Sequence, residues 1–303
     1  MHRREFLKVS VGGVALLSLW DVGCGGDHGS RSAETATVRA AGRAYLSFDA
    51  AGNAYEILRA QHAVRRLDAD GAVVWEIRGL GDGPRQFNYP ETLAVDGDGF
   101  VYVADRGNSR VQVFDADGTF VRQIGGRDRD GSGDRDRSGL DFARQVAIGP
   151  DGLLYVCDSN DHQIEVFDRD GARLGAFGDF GTGPIQLNVP VSLAVAADGS
   201  IHVVDRGNFR VQVFGPRGRV LGSYGRRGSG PGEFLLPRSI VLDQQGNAFV
   251  ADAASRRIVV FAPNGAARDA IDVRFADGRR GCPLYVTAAP QDQIYVTAVP
   301  LPA

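Results

Sequence analysis

The chain has 303 residues, 43% of them apolar, which supports a substantial core and excludes general disorder. Its 41 glycines against 13 prolines call for many tight turns between short strands. A net charge of −3 argues against a general nucleic-acid binder, and three cysteines, Cys24, Cys157 and Cys282, make neither a disulfide framework nor a zinc site.

The first residues, His2-Arg3-Arg4-Glu5-Phe6-Leu7-Lys8, resemble the twin-arginine export motif. A weakly apolar stretch follows from Val9 to Trp20, interrupted by Gly12 and Gly13. It is too short to span a bilayer as a stable helix and fits the apolar region of a signal. The resemblance implies an exported protein, periplasmic or held on the membrane facing the periplasm or cell surface, that folds before it crosses. Asp21-Val22-Gly23-Cys24 resembles a bacterial lipobox, with Asp21 where Leu is usual. Lipidation at Cys24 is the only membrane attachment expected, and the sequence leaves it open. Residues 1–24 are therefore read as a signal peptide, and 25–43 as a flexible tether and closing strand.

Beyond residue 44 the chain repeats. Asp105-Arg106-Gly107-Asn108-Ser109-Arg110-Val111-Gln112-Val113-Phe114 returns at Asp205 to Phe214 with a single change. The turn markers Gly52, Gly99, Gly152, Gly199, Gly246 and Asp292 are spaced by 47, 53, 47, 47 and 46 residues. Each copy reads as four short strands, in the second copy 92–95, 101–104, 111–114 and 120–124. Asp98-Gly99 and Asp117-Gly118 supply hairpin turns, because Gly accepts positive φ and Asp tolerates the left-handed region. A unit of about 45 residues with four antiparallel strands is a propeller blade. The expected fold is an all-β, six-bladed β-propeller over residues 44–303. The sixth copy is short, 285–289 and 293–299. A ring has to close, since an open edge leaves backbone groups unpaired, so 35–40 is expected to supply the missing outer strand.

Asp at the end of the second strand and Asn-x-Arg opening the third resemble the NHL repeat family over residues 44–303, with the name-giving histidine as His162 and His62 in the same register. The resemblance implies a six-bladed propeller used as a binding platform. Enzymatic relatives of this repeat, the amidating lyases and lactonase-like hydrolases, set histidines or several carboxylates around the channel to hold zinc or calcium. Here His202 stands in register with Tyr55, Tyr102 and Tyr155 and reads as a packing residue. His62 and His162 lie too far apart to share a metal. Cys157, in register with Ala104, Val204 and Ala251, reads as core.

Strand direction sorts the loops onto two faces. Strand one–two and three–four hairpins make an Asp-rich face, with Asp96, Asp98, Asp115, Asp117, Asp168 and Asp170 among its members. The loops between strands two and three, with the blade-to-blade connections, make an Arg-rich face suited to an anionic partner. Arg110, Arg210 and Arg257 recur with Asp105, Asp205 and Asp252 and are expected to be structural pairs. The inner strands begin at Tyr45, Thr92, Gln145, Ser192, Ser239 and Tyr285, preceded in three blades by Glu91, Arg144 and Arg238. The candidate ligand site is this channel mouth: Glu91, Arg144, Gln145, Ser192, Arg238, Ser239 and Tyr285. Residues 125–139 hold Asp128, Asp130, Ser132 and Asp134, yet Gly126 and Arg137 stand where a calcium loop needs acids, so a solvated charged loop is favoured. The expectation is a monomeric, non-catalytic binding propeller outside the cytoplasm, with no cofactor and no nucleic acid. It recognises a protein or a small anionic ligand. The alternative is a lyase or hydrolase acting at the channel mouth.

Overall fold

The computed structural model describes residues 45–68, 70–126, 139–275, 279–290 and 293–300, with the backbone of strands Leu7–Val11, Val14–Leu19 and Glu34–Ala40. Cys24, the arginine pair at positions 3 and 4, and 127–138 of the charged loop lie outside the described residues.

Alternating β-branched residues build five complete antiparallel blades. Blade one is Tyr45–Phe48, Ala54–Leu58, Ala63–Leu67 and Val73–Arg78. Blade two is Pro90–Val95, Val101–Asp105, Arg110–Phe114 and Phe120–Gly125. Blade three is Ala143–Ile148, Leu154–Asp158, Gln163–Phe167 and Arg173–Phe177. Blade four is Pro190–Val195, Ile201–Asp205, Arg210–Phe214 and Val220–Tyr224. Blade five is Pro237–Leu242, Ala248–Asp252, Arg257–Phe261 and Ala267–Phe275. The sixth position is filled by the hairpin Gly281–Ala289 and Gln293–Pro300. The fold is an all-β propeller, as expected.

Glu34–Ala40 lies beside Gln293–Pro300, pairing Thr37 with Tyr295 and Arg39 with Thr297, but in parallel. The direction has a simple cause. Only four residues separate Ala40 from Tyr45, which opens the inner strand of blade one at the channel mouth. The closing strand must therefore end at that face, as the outermost strand of a blade does. Among the described residues blade six has no third strand of its own, and the closing strand sits directly against the second. Leu7–Val11 runs parallel between Ala267–Phe275 and Glu34–Ala40, and Val14–Leu19 pairs antiparallel with Glu34–Ala40. The segment read as the apolar region of a signal thus forms strands joining the sheets of blades five and six.

The core lies between blades. Tyr102, Val111 and Val113 of blade two meet Val146, Leu154 and Phe167 of blade three, and the other neighbouring pairs follow the same scheme. The closing joint uses rings: Tyr45 meets Tyr285 edge-on at 5.3 Å, and Phe48 lies 4.6 Å from Tyr295.

Candidate functional site

The hairpin face is explained by its turns. Asp96 Oδ1 accepts from the N–H groups of Asp98 and Phe100, Asp115 from Asp117 and Thr119, and Asp168 from Asp170 and Ala172. Such Asx turns tie each carboxylate to its own backbone.

On the opposite face, two of the three expected Arg–Asp pairs form. Arg110 Nε lies 2.8 Å from Asp105 and Arg210 Nε 2.9 Å from Asp205. Their guanidinium ends donate to carbonyls of the preceding blade-to-blade loop: Arg110 to Asp82, Gly83 and Gln86, Arg210 to Gly183 and Gln186. Arg257 keeps the loop clamp on Ser229, Gly230 and Glu233, but no ion pair joins it to Asp252 among the described residues. That carboxylate instead accepts from Leu235 N, Leu236 N and Ser255 Oγ. These arginines hold loops in place.

The mouth of the channel is built on a repeated irregularity. Each inner strand of blades two to five slips register where it starts: between Pro90 and Leu93, Ala143 and Gln145, Pro190 and Ser192, Pro237 and Ser239. A bulge re-aims the extra residue out of the ladder. The residues within these slips include Glu91, Arg144, Val191 and Arg238. A second set arrives from the turn after strand two, whose first residue is arginine in three blades: Arg59, Arg106 and Arg206.

In blade two the bulge is acidic and its carboxylate is paired with two arginines. Glu91 is 2% exposed, with Arg59 at 2.5 Å from one oxygen and Arg106 at 3.4 Å from the other. Tyr285 donates its hydroxyl to Glu91 at 3.0 Å and accepts from Arg59, joining blade six to blades one and two. Burial first, then the Glu91 charge, pushes the Tyr285 hydroxyl up to about 12.

In blades three and five the same position is basic. Among the described residues no carboxylate pairs with Arg144, Arg206 or Arg238. Burial, then repulsion from Arg144 and Arg238, lowers the pKa of Arg206 from its ordinary value. Arg144 and Arg238, from two other blades, thus lie within electrostatic reach of Arg206, all three partly open to solvent and with no ion-paired carboxylate among the described residues.

The other expected ligand contacts are occupied elsewhere. Gln145 donates to Leu193 O, and Ser192 Oγ accepts from Ile240 N. Ser239 Oγ accepts from Val286 N at 3.2 Å, Thr92 Oγ1 from Val146 N, and Thr287 donates to Leu46 O. These side chains are buried and form a belt that ties inner strand to inner strand around the ring. Gln145, Ser192 and Ser239 hence join neighbouring inner strands, because in blades three to five the first hydroxyl or amide falls opposite the next blade's backbone. Arg106 and Arg206 also stand at the mouth, each opening the turn after strand two. Arg59 stands there too, in the same register. Its signal was arginine recurring one residue past the second strand at 59, 106 and 206.

Below the belt runs a bore of about 230 Å³, lined by residues of all six inner strands. His202 and Cys157 are buried, and burial raises the Cys157 thiol far above its ordinary value, which suppresses the thiolate. His62 and His162 each accept a backbone N–H through Nδ1, from Tyr89 and Val189, two residues held at positive φ. Among the described residues no three His, Cys, Asp or Glu side chains gather as a metal site.

Residues 87–114 and 140–167 match a family model described as the NHL repeat, and 188–273 match one described as a 6-bladed beta-propeller. NHL repeat-containing protein 3 of Homo sapiens is 46% identical over 52 residues, 17% of this chain and 15% of that protein. E3 ubiquitin-protein ligase TRIM32 of Homo sapiens is 35% identical over 105 residues, 30% of this chain and 14% of that one. The chain thus spans about 15% of the length of these curated relatives. A streptogramin B lyase structure superposes with a TM-score of 0.62 over 84% of this chain and 90% of its own, at 12% identity. A chain of a nidogen/laminin complex does so with 0.56 over 75% and 78%, at 20%. At these identities the likeness is one of fold.

Proposed function

We propose that this protein is a non-catalytic binding propeller working outside the cytoplasm, and that its arginine-lined channel mouth holds an anionic ligand. The observation that carries the reading is that Arg144, Arg206 and Arg238, gathered at one side of the mouth by two strand bulges and a turn, pair with no carboxylate among the described residues. Like charges drawn together in a partly desolvated site cost free energy, and an anion bound between them recovers it through charge-assisted hydrogen bonds. The ion-paired half of the mouth, Glu91 with Arg59, Arg106 and Tyr285, acts as a rigid wall that also closes the ring. At the channel mouth, among the described residues, the buried Cys157 and the inward-committed hydroxyls form no paired nucleophile and base, which weighs against the lyase or hydrolase alternative.

The test is the thermal shift produced by acetate and by inorganic phosphate, since a ligand bound only to the native state raises its melting temperature. Replacing Arg144 and Arg238 together by alanine should abolish the shift. At roughly 1.5–3 kcal/mol for each charged hydrogen bond, affinity falls at least tenfold. Replacing Asp117 and Asp170 by asparagine keeps the turns and should leave the shift intact. If the hairpin variant loses the anion and the arginine variant keeps it, the wrong face has been chosen. Turnover of a substrate, lost on changing one residue of the mouth, would establish the enzymatic reading instead.

A further inference from the structure

The arginine face also exposes large apolar side chains, and they stand on well-clamped loops. Phe180 is 64% exposed, Ile185 63% and Leu235 40%. Phe180 and Ile185 belong to the connection from blade three to blade four, Leu235 to that from blade four to blade five. The first loop is closed on itself by Gly181 N donating to Leu187 O. It is pinned to the turn Arg206–Asn208 by Asn208 Nδ2 donating to Gly181 O and Gly207 N to Asn188 O. The residue after that turn, Phe209, has the Arg227 guanidinium of the second loop 5.2 Å from its ring centre. Arg257 clamps the second loop through Ser229, Gly230 and Glu233. Loop, turn and loop thus follow one another over blade four, beside the mouth arginines Arg144, Arg206 and Arg238. Their own carboxylates are engaged: Glu233 pairs with Arg226, and Asp179 accepts from the Phe180 N–H. The equivalent loop before blade two exposes Leu80 and Tyr89, but there Arg106, which reaches over Tyr89, is paired with Glu91.

Resting on the anion-binding reading above, we propose that the face over blade four docks an acidic peptide segment of a partner protein. Its carboxylates lie among Arg144, Arg206 and Arg238, and its apolar side chains pack on Phe180, Ile185 and Leu235. Charge complementarity selects such a partner: the segment brings the carboxylates that these arginines lack, and opposite charge steers its approach. Apolar side chains laid on the loop tips leave water and add affinity. The loops are already held by hydrogen bonds, so little ordering is lost on docking. A small inorganic anion would leave the apolar tips in water. A single-stranded nucleic acid needs flat platforms for its bases. Here two of the tips are aliphatic, and the Phe180 ring leans on His162, 4.8 Å between centres.

Calorimetric titration of the full chain with short synthetic peptides tests this. An acetylated peptide with leucines first and glutamates last should bind at least about tenfold tighter than one with serines in place of the leucines. An amidated peptide with lysines in place of the glutamates should not bind. Replacing Phe180 and Ile185 together by serine should erase the gain from leucine while phosphate still binds. Both side chains are exposed, so the fold does not depend on them. Leu80→Ser, the control across the ring, should change nothing. The double replacement of Arg144 and Arg238 by alanine should weaken the leucine–glutamate peptide and phosphate alike. Equal binding of the leucine and serine peptides would overturn the docking surface and leave the anion site standing. Equal losses in Leu80→Ser and in the Phe180 and Ile185 variant would overturn its placement over blade four. Polyuridylate binding more tightly than the leucine–glutamate peptide would overturn the peptide in favour of a nucleic acid. Failure of every peptide, with phosphate still bound, would overturn the peptide alone. Failure of phosphate as well would sink the anion site too.

Discussion

Position 202 shows how one residue in a repeat carries its own pH dependence. Tyr55, Tyr102 and Tyr155 stand in its register and each donates to a hairpin carboxylate: Asp49, Asp96 and Asp151. In blade four the residue equivalent to Asp49 and Asp96 is Ala196, and the tyrosine is replaced by His202. Its ring nitrogens meet Tyr224 Oη at 2.9 Å and Ser200 Oγ at 3.3 Å. Burial lowers its pKa below the ordinary 6.5, against a smaller opposing pull from Asp198. The unfolded chain therefore takes the proton more readily than the native one. The stability this gives is present above pH 6.5 and is lost as pH falls toward the lowered value. Urea midpoints of the unaltered protein should fall more steeply from pH 7 to 5 than those of His202→Gln, by at most about 1.4 kcal/mol per pH unit for one proton. Parallel curves would show that His202 titrates alike in both states. At the same scale, a bulge residue's charge decides its use. Glu91 makes a buried ion-paired joint, whereas Arg144 and Arg238 in the corresponding places make an open cationic site.

At the scale of elements, each blade packs on its immediate neighbours, so the joint between last and first is what closes the ring. It has the hydroxyl bridge from Thr287 to Leu46 O, the Tyr45–Tyr285 contact and the Phe48–Tyr295 contact. The strand Glu34–Ala40 covers the edge of Gln293–Pro300. Deleting 35–40 should expose that edge and lower unfolding stability by several kcal/mol, read from chemical denaturation, with a tendency to associate through the bare strand. An unchanged midpoint would mean that the two-stranded sixth blade closes the ring without it.

For the whole molecule, one face is edged with hairpin aspartates bonded into their own turns and the other carries Arg144, Arg206 and Arg238, which no carboxylate pairs among the described residues, so a small net charge conceals a polar particle. That layout suits a protein that meets its ligand end-on at the channel. We expect the chain to be exported by the twin-arginine route, motivated by Arg3-Arg4 and Phe6-Leu7-Lys8. Changing Arg3 and Arg4 to lysine should leave folded precursor in the cytoplasm, detected by fractionation, and normal export would refute the assignment. Metabolic lipid labelling that persists in Cys24→Ser would rule out attachment there. Processing at Cys24 would remove Leu7–Val11 and Val14–Leu19 but keep Glu34–Ala40, so the mature ring would close through the last of these alone.

The amino-acid sequence by itself determined the propeller, its blade boundaries and the two faces. Turn glycines, Asx residues and strand alternation act over a few residues, and a blade is a local object whose strands pair with the next in line. The clamp arginines Arg110 and Arg210 were legible for the same reason, being five residues from their aspartates. Only the tertiary structure decided which polar groups at the mouth are free. Ser192 and Ser239 read like ligand contacts until the neighbouring strand's N–H groups take them, at separations of 48 and 47 residues. Glu91 looks like an open carboxylate until Tyr285, 194 residues away, closes over it. Periodicity tells which way a side chain faces along its own strand. What meets it there depends on how neighbouring blades are set around the axis, and that geometry brings the charges of Arg144 and Arg238 to bear on Arg206.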